Sequence, residues 1–590
     1  MDNMKKNVIR DVVVHKNIEI PMRDGVILRA DHLEPQCEEP LPVLIVRTPY
    51  LKESFYTKQV YSVMETAFKG YHILLCDVRG GGQSEGEFTP FANEKNDGYD
   101  TIQWAADQPW CNGKVGTFGY SYNGGQQILA ASTRPSALAA AAPGGASGWF
   151  LPTLMYGVLS HRTSLFWYMK QIRNALLSGK GDMAKEERQK KLEEIEYIMR
   201  FRNEKECYAL PFLSANVLKF EGVPVRKFFN EWVDHCDDKE YWARMGQPLG
   251  IENVNVPCFF YTGWFDYMCP GQADCFELLS HRTEDPELAA SHRLVLGPWI
   301  HTTEYGTSTD SNSGVRYGEL TFPPNSGYTK EMYDSFLKFY AKYLKGEDVD
   351  TGAPVRIYVM GDNIWRDEQE WPLARTVYTP LYLDSDGDAR TLNGSGRLTF
   401  EKTFAFESDY YDYDPMNPCD NTDSDLHKGI IKDRREKEQR EDMLVYSTAT
   451  LKEDLEVTGN IRVKFFIRSS AVDTDFFVRL IDVLPDGKAY SYLAGVFRMR
   501  YRDGFYEPRY MTPGEVYAVD FKLGSLSLVF KEGHQIRIEV TSSDFPEYDR
   551  NLNTAEPMGY GAEAVVAHQT ILHSEEYPSH LLLPVIPRQK

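Results

Sequence analysis

Gly119-Tyr120-Ser121-Tyr122-Asn123-Gly124 is the stretch from which the fold of this chain is read. Its approach, Gly113-Lys-Val-Gly-Thr-Phe-Gly119, is a short β-favouring run bounded by glycine. Its exit, Gln126-Gln-Ile-Leu-Ala-Ala-Ser132, is built mostly of good helix formers and stops before Pro135. A serine on so tight a strand-to-helix corner is a nucleophile elbow, with a strained backbone and a hydroxyl lifted clear of the sheet. Gly119 and Gly124 are expected where strand and helix nearly touch. The hexamer departs from the usual G-x-S-x-G, because Asn123 stands at the second glycine. A base, an acid and an oxyanion site must therefore be found elsewhere in the chain.

Working outward, residues 10–145 alternate strand and helix signals. Val43-Leu-Ile-Val46 and His72-Ile-Leu-Leu-Cys-Asp77 are short apolar runs of the kind buried parallel strands show. The pattern resumes at Pro257–Thr262 and Arg293–Gly297 and closes with a helix from about Lys330 to Leu344, whose Met332, Phe336, Phe339 and Tyr343 recur at helical spacing. Between them, charged amphipathic runs such as Lys185–Met199 and Val225–Val233 predict a helical insertion. After Gly352 the helical patterns end. Alternating runs such as Ile461–Arg468 and Gln535–Val540 predict roughly ten half-buried strands, an antiparallel sandwich of jelly-roll type. The expected division is an α/β domain of residues 1–145 and 246–350, a helical cap of 146–245, and a β domain of 351–590. The acidic run Glu407–Asp414, opening a stretch that extends to about residue 425, reads as a surface loop. It lacks the spacing and distal glutamate of an EF-hand calcium loop.

The 590 residues are too many for one core. A net charge of −21 (65 basic against 86 acidic residues) argues against nucleic acid or an anionic membrane as partner. Nine scattered cysteines without a CxxC pair fit reduced thiols. No stretch of 18 apolar residues and no N-terminal apolar h-region occur, so a soluble cytoplasmic protein is expected. No HExxH or similarly spaced cluster calls for a metal, and no cofactor is expected.

A serine hydroxyl needs a base to take its proton during attack. His301 closes Leu296-Gly-Pro-Trp-Ile-His301, a strand-end loop late in the α/β part. His72 begins a buried strand, and His568 and His573 lie near a late C-terminal strand. The order serine, acid, histidine suits this topology. Tyr261-Thr-Gly-Trp-Phe-Asp266 supplies the acid after the preceding strand, with Asp274 a weaker substitute inside a helix. For the oxyanion, the Tyr122 N–H comes with the elbow, and Tyr50, in Arg47-Thr-Pro-Tyr50, offers a hydroxyl where a glycine run is missing.

These residues resemble the CocE/NonD group of serine hydrolases, which includes cocaine esterases, α-amino-acid ester hydrolases, glutaryl acylases and Xaa-Pro dipeptidyl-peptidases. The matching segments are Asp77-Val-Arg-Gly-Gly-Gly-Gln-Ser-Glu-Gly86, Asp97–Trp104, Gln108–Gly116, Gly263-Trp-Phe-Asp266, Gly297-Pro-Trp-Ile-His301, Val359–Arg366 and Glu370-Trp-Pro372. The resemblance implies an α/β-hydrolase domain, an inserted helical cap and a C-terminal jelly roll. It also implies a triad of Ser121, Asp266 and His301 with Tyr50 and Tyr122 at the oxyanion. Trp149, Phe150, Phe166 and Trp167 fall where the family lines its acyl pocket, and Trp264 and Phe265 adjoin the acid. No carboxylate lies between Asp266 and Asp274, which disfavours a substrate ammonium and favours an uncharged, apolar or aromatic acyl group. The substrate is then a small ester or amide. An Xaa-Pro dipeptidyl-peptidase or acylase acting on an amide is the alternative enzyme. A glycan-binding scaffold with a silent hydrolase domain is the alternative outside enzymes. A homodimer is the assembly considered.

Overall fold

The structure is a computed structural model and describes residues 9–56, 62–148, 154–155, 158–223, 225–301, 314–327 and 330–588. Ten strands form one sheet. In spatial order they are Val12–Pro21, Ile27–Pro35, His72–Asp77, Leu41–Thr48, Cys111–Tyr120, Leu138–Gly144, Phe259–Gly263, Arg293–Gly297, Val355–Val359 and Ile364–Glu368. The seven from His72–Asp77 to Val355–Val359 run parallel, and the outer strands pair antiparallel. Parallel strands lie under helices on both faces, so their side chains have no solvent side to be polar toward. Val43, Leu44, Ile73 and Leu74 are accordingly fully buried.

The strand order reverses direction beside Leu41–Thr48, which lies between His72–Asp77 and Cys111–Tyr120. Loops leaving the carboxyl ends of Leu41–Thr48 and Cys111–Tyr120 therefore flank one crevice, where α/β sheets place ligands. The first of these loops carries Tyr50 and the second is the Ser121 elbow. Helix Lys330–Lys345 closes the α/β part, burying Met332, Phe336, Phe339, Tyr340 and Leu344.

Two strands depart from the expected division. Val355–Val359 pairs parallel with Arg293–Gly297, and Ile364–Glu368 folds back on it, so both belong to the hydrolase sheet rather than to the C-terminal domain. Alternation of apolar and polar residues marks an edge hairpin as well as it marks a sandwich strand, and only pairing tells them apart.

The cap contains helices His161–Leu177, Lys185–Phe201, Phe228–Asp234 and Lys239–Arg244. Its core of Leu165, Tyr168, Met169, Ile172, Phe228, Phe229 and Trp232 also takes in Phe545 and Met558 from the C-terminal domain. That domain pairs its strands antiparallel except where Arg397–Thr399 meets Met443–Ser447 in parallel. Its long strand Leu455–Ser469 pairs on one side with Val516–Phe530 and on the other with Ala567–Leu572 and His580–Ile586. The acidic run expected as a loop is instead the strand Ser408–Tyr413, with Asp409, Tyr411 and Tyr413 buried. Asp409 is a structural hub there, accepting from Ser385, Tyr446 and the Ala389 N–H and facing His573 at 2.7 Å. Asp409, Tyr411 and Tyr413 are buried at period two, and an acidic residue among the buried three obscured the strand pattern.

All nine cysteines are free. Among the described residues, no helix is long and apolar enough to cross a membrane.

Candidate active site

Strand Cys111–Tyr120 passes directly into helix Tyr122–Ala131, and Ser121 between them takes φ +64°, ψ −125°. Such a conformation costs a non-glycine residue on the order of 1–3 kcal/mol and persists only where the surroundings over-determine it. Here the Ser121 N–H donates to the Gly144 carbonyl at 2.9 Å, and its own carbonyl accepts from the N–H groups of Gly124 and Gly125 at 2.8 and 2.9 Å. A Cβ on Gly124 would lie 2.2 Å from the Gly144 oxygen, and one on Gly119 would lie 2.6 Å from the Asn123 Cβ. The second contact explains the unusual motif: residue 123 can carry a side chain because residue 119 carries none.

His301 joins the serine to the acid. Its Nε2 lies 2.8 Å from Ser121 Oγ and its Nδ1 2.8 Å from Asp266 Oδ1. Ser121 and Asp266 are buried, and His301 is half-buried. Burial by itself would push the Asp266 carboxyl up. The facing His301, the hydroxyl of Tyr120 and the Met268 N–H outweigh it and hold the group below the usual carboxylate range. Tyr120 and Thr262 donate to Oδ2, Thr262 at 2.8 Å, and Met268 N–H donates to Oδ1 at 2.9 Å. Neither hydroxyl was singled out from the sequence, although Tyr120 is in the elbow itself. Strand residues reveal a partner only once neighbouring strands are in register.

Two further groups were missed. The Tyr267 ring stacks on the His301 imidazole, centroids 4.6 Å apart and planes 26° apart. His427, from the C-terminal domain, stands edge-on to Tyr267 at 5.8 Å, and its Nδ1 lies 3.0 Å from the Phe265 carbonyl oxygen. A side chain more than 100 residues downstream thus supports the loop that carries Asp266 and Tyr267.

Tyr122 anchors the first turn of the elbow helix, whose leading N–H groups have no acceptor within the helix. Its hydroxyl donates to Glu94 at 2.8 Å and accepts from the Phe91 N–H at 3.0 Å. Glu94 in turn pairs with buried Arg47 at 2.8 Å. Burial, then the neighbouring Glu94 charge, hold the Tyr122 phenol far above its ordinary range. The loop bearing Tyr50 is pinned by Lys52, whose N–H and ammonium both donate to Asp77, at 2.9 and 3.0 Å. The Trp167 indole donates to the Tyr50 hydroxyl oxygen at 3.0 Å, and Lys170 sits 4.2 Å over the Tyr50 ring.

Of the aromatic residues expected in the pocket, Trp167 is therefore brought to the site. Trp264 and Phe265 are not. Trp264 is buried and donates to the Tyr358 carbonyl, and Phe265 packs on Tyr317, Phe322 and Tyr492, so both sit in the core behind Asp266. Phe166 is 39% exposed on the helix carrying Trp167. Trp149 and Phe150 lie outside the described residues.

The substitute acid Asp274 is exposed and tied to Lys522 at 2.6 Å. Burial, then the Asp266 charge and after it that of Glu547, raise the Tyr267 phenol; no local motif revealed Glu547 or its neighbour Asp425, both from the C-terminal domain. Glu547 accepts from Ser160 and Thr163 at 2.7 Å, and Arg162 and Lys428 face both acids.

The chain is similar to known proteins along nearly its whole length. Residues 24–303 match the model of the X-Pro dipeptidyl-peptidase (S15) family, and residues 347–582 match its C-terminal non-catalytic domain. A cocaine esterase of Rhodococcus sp. (strain MB1 Bresler) is 34% identical over 98% of this chain and 99% of its own length. The crystal structure of an aminopeptidase from a marine sediment Thaumarchaeota archaeon superposes with a TM-score of 0.79 at 26% identity, covering 99% of this chain and 98% of that one. An α-amino acid ester hydrolase gives the same TM-score at 24% identity with the same coverage, a likeness of fold.

Proposed function

This chain belongs to the CocE/NonD family of serine hydrolases, and we propose that it cleaves esters, or the corresponding amides, of an uncharged apolar or aromatic acyl group through a Ser121 acyl-enzyme. The observation that carries the reading is the unbroken hydrogen-bonded run from Ser121 through His301 to Asp266, each link 2.8 Å.

As Ser121 Oγ forms its bond to the substrate carbonyl carbon, its proton passes to His301 Nε2, and the carbonyl electron pair moves onto oxygen. The Tyr122 N–H and the Tyr50 hydroxyl receive that oxyanion. A phenol whose oxygen already accepts from the Trp167 indole is turned to donate. Asp266 keeps the His301 proton on Nδ1 and stabilises the imidazolium, and the face of Tyr267 gives the ring a second, electron-rich support. Collapse of the intermediate breaks the bond to the leaving alcohol or amine, which takes the proton from Nε2. Water then repeats the sequence, releasing the acid and restoring Ser121.

Charge balance supports an uncharged acyl group. Asp425 and Glu547 are both engaged by Arg162 and Lys428, which leaves neither carboxylate free to grip a substrate ammonium. The same acids are what a dipeptidyl-peptidase would use for a free N-terminus, which makes that activity the second reading. A p-nitrophenyl ester of an aromatic acid should give a burst of one leaving group per chain that Ser121→Ala abolishes, while a Gly-Pro-anilide is turned over poorly. Undiminished turnover by Ser121→Ala would end the acyl-enzyme mechanism. Efficient Gly-Pro-anilide cleavage would end the ester preference only.

A further inference from the structure

At the far edge of the hydrolase sheet, three imidazoles and a carboxylate share one face. His15 and His32 are Cα partners across the antiparallel pair Val12–Pro21 and Ile27–Pro35. Glu34 is two residues from His32 and so points the same way. On the next strand inward, His32 is paired with Leu74, which puts His72, two residues earlier, on that face as well. His32 and His72 are buried, whereas the side chains of His15 and Glu34 are 45% and 29% exposed. One nitrogen of His15, one of His32 and a Glu34 oxygen all lie within 4.8 Å of one another.

The buried half of this cluster couples two imidazoles. The His72 Nδ1 lies 2.9 Å from His32 Nε2, so one of the two nitrogens donates and the other accepts, and the Trp110 ring flanks both imidazoles at 4.4 and 4.5 Å. With the His72 proton on Nε2, its Nδ1 accepts and His32 donates from Nε2. The lone pair of His32 is then on Nδ1. Metal-binding histidines are commonly oriented in this way, with the other ring N–H given to a carbonyl or a second acceptor. His15 and Glu34, 2.6 Å apart, satisfy one another, and both are exposed enough to swing onto an ion about 2.0–2.2 Å away.

We propose that His15, His32 and Glu34 form a binding site for a divalent transition-metal ion of the zinc class, with His72 as the residue that orients His32. Two imidazoles and one carboxylate suit such an ion, and the fourth position faces solvent. The site stands apart from the chemistry. His72 is level with Val43, and Val43 with Val115, so the cluster lies at the opposite end of the strands from Ser121. A metal here ties the edge strand Val12–Pro21 to the sheet rather than activating water for acyl transfer.

The test uses tag-free full-length protein stripped with EDTA, dialysed and titrated with Zn²⁺ by calorimetry. One equivalent should bind. His15→Ala and Glu34→Ala should abolish that binding, and His72→Asn should weaken it about tenfold to a hundredfold, the usual effect of losing an orienting partner. Because His15 and Glu34 sit on an exposed edge, ester turnover in those two variants should stay at the wild-type rate and report that they are folded. Co²⁺ in place of Zn²⁺ should give the intense visible bands of a four-coordinate site in the wild type alone. Absence of Zn²⁺ uptake by the wild-type chain would overturn the proposal. So would uptake unchanged in both alanine variants, which would assign the ion to thiols or to other surface groups.

Discussion

Ser121 is held by its immediate neighbours in sequence, whereas Asp266 and His301 are held by groups gathered from Tyr120 to His427. At the serine end, backbone hydrogen bonds to Gly124, Gly125 and Gly144, together with the missing side chains at 119 and 124, suffice to impose the strained corner. At the acid–base end, the carboxylate is buried and would be raised without its donors, so its competence depends on Tyr120, Thr262, Met268 and His301 acting together. The Ser121 corner is thus a product of local geometry, and the Asp266–His301 pair is a product of tertiary packing.

The comparison can be broken most sharply at the relay. Asp266→Asn keeps the shape but removes the charge that sets the His301 tautomer, and kcat should fall about 10⁴-fold. Pre-steady-state kinetics with a p-nitrophenyl ester would check it, and a fall of less than tenfold would show that the relay does not depend on this carboxylate. Tyr50→Phe removes one proposed oxyanion donor while leaving the ring under Lys170. It should lower kcat by about 10²–10³-fold with little change in KM. An equal rise in KM at constant kcat would instead make Tyr50 a substrate-binding group.

The smallest effect concerns the scaffold. His292 is buried at the start of strand Arg293–Gly297, with Nδ1 3.1 Å from the Cys258 N–H. Burial, then the nearby arginines, lower it to about 3 from an ordinary value of 6.5. Below pH 6.5 the unfolded chain takes up a proton that the folded chain refuses. The stability this histidine allows is therefore complete above pH 6.5 and declines as pH falls toward 3, by up to about 1.4 kcal/mol per pH unit. His292→Asn, which keeps an acceptor but does not titrate, should flatten the fall in urea midpoint between pH 7 and pH 5.5. An unchanged pH slope would show that His292 charges freely in the folded chain.

Much of this was legible without coordinates. The elbow, the α/β alternation, the helical insertion and the late β domain each leave a periodic signal within a few residues, because side-chain direction repeats every 2 or every 3.6 residues. The residues Ser121, Asp266 and His301 could be named because each ends a recognisable strand. The misreadings share a cause. Strand Val355–Val359 was assigned to the wrong sheet, Ser408–Tyr413 was read as a loop, and Trp264 and Phe265 were turned toward the site, since pairing partner and facing direction are absent from a linear pattern.

By itself the sequence determined which backbone corners are strained and which segments bury an apolar face, both short-range consequences of steric exclusion and hydration. Only the tertiary structure decided which polar groups meet: Tyr120 and Thr262 on Asp266, Tyr267 on His301, His427 behind Phe265, and His15 beside His32 and Glu34. Hydrogen bonds and charges act over a few ångströms in space, and the chain brings those ångströms together from positions tens to hundreds of residues apart.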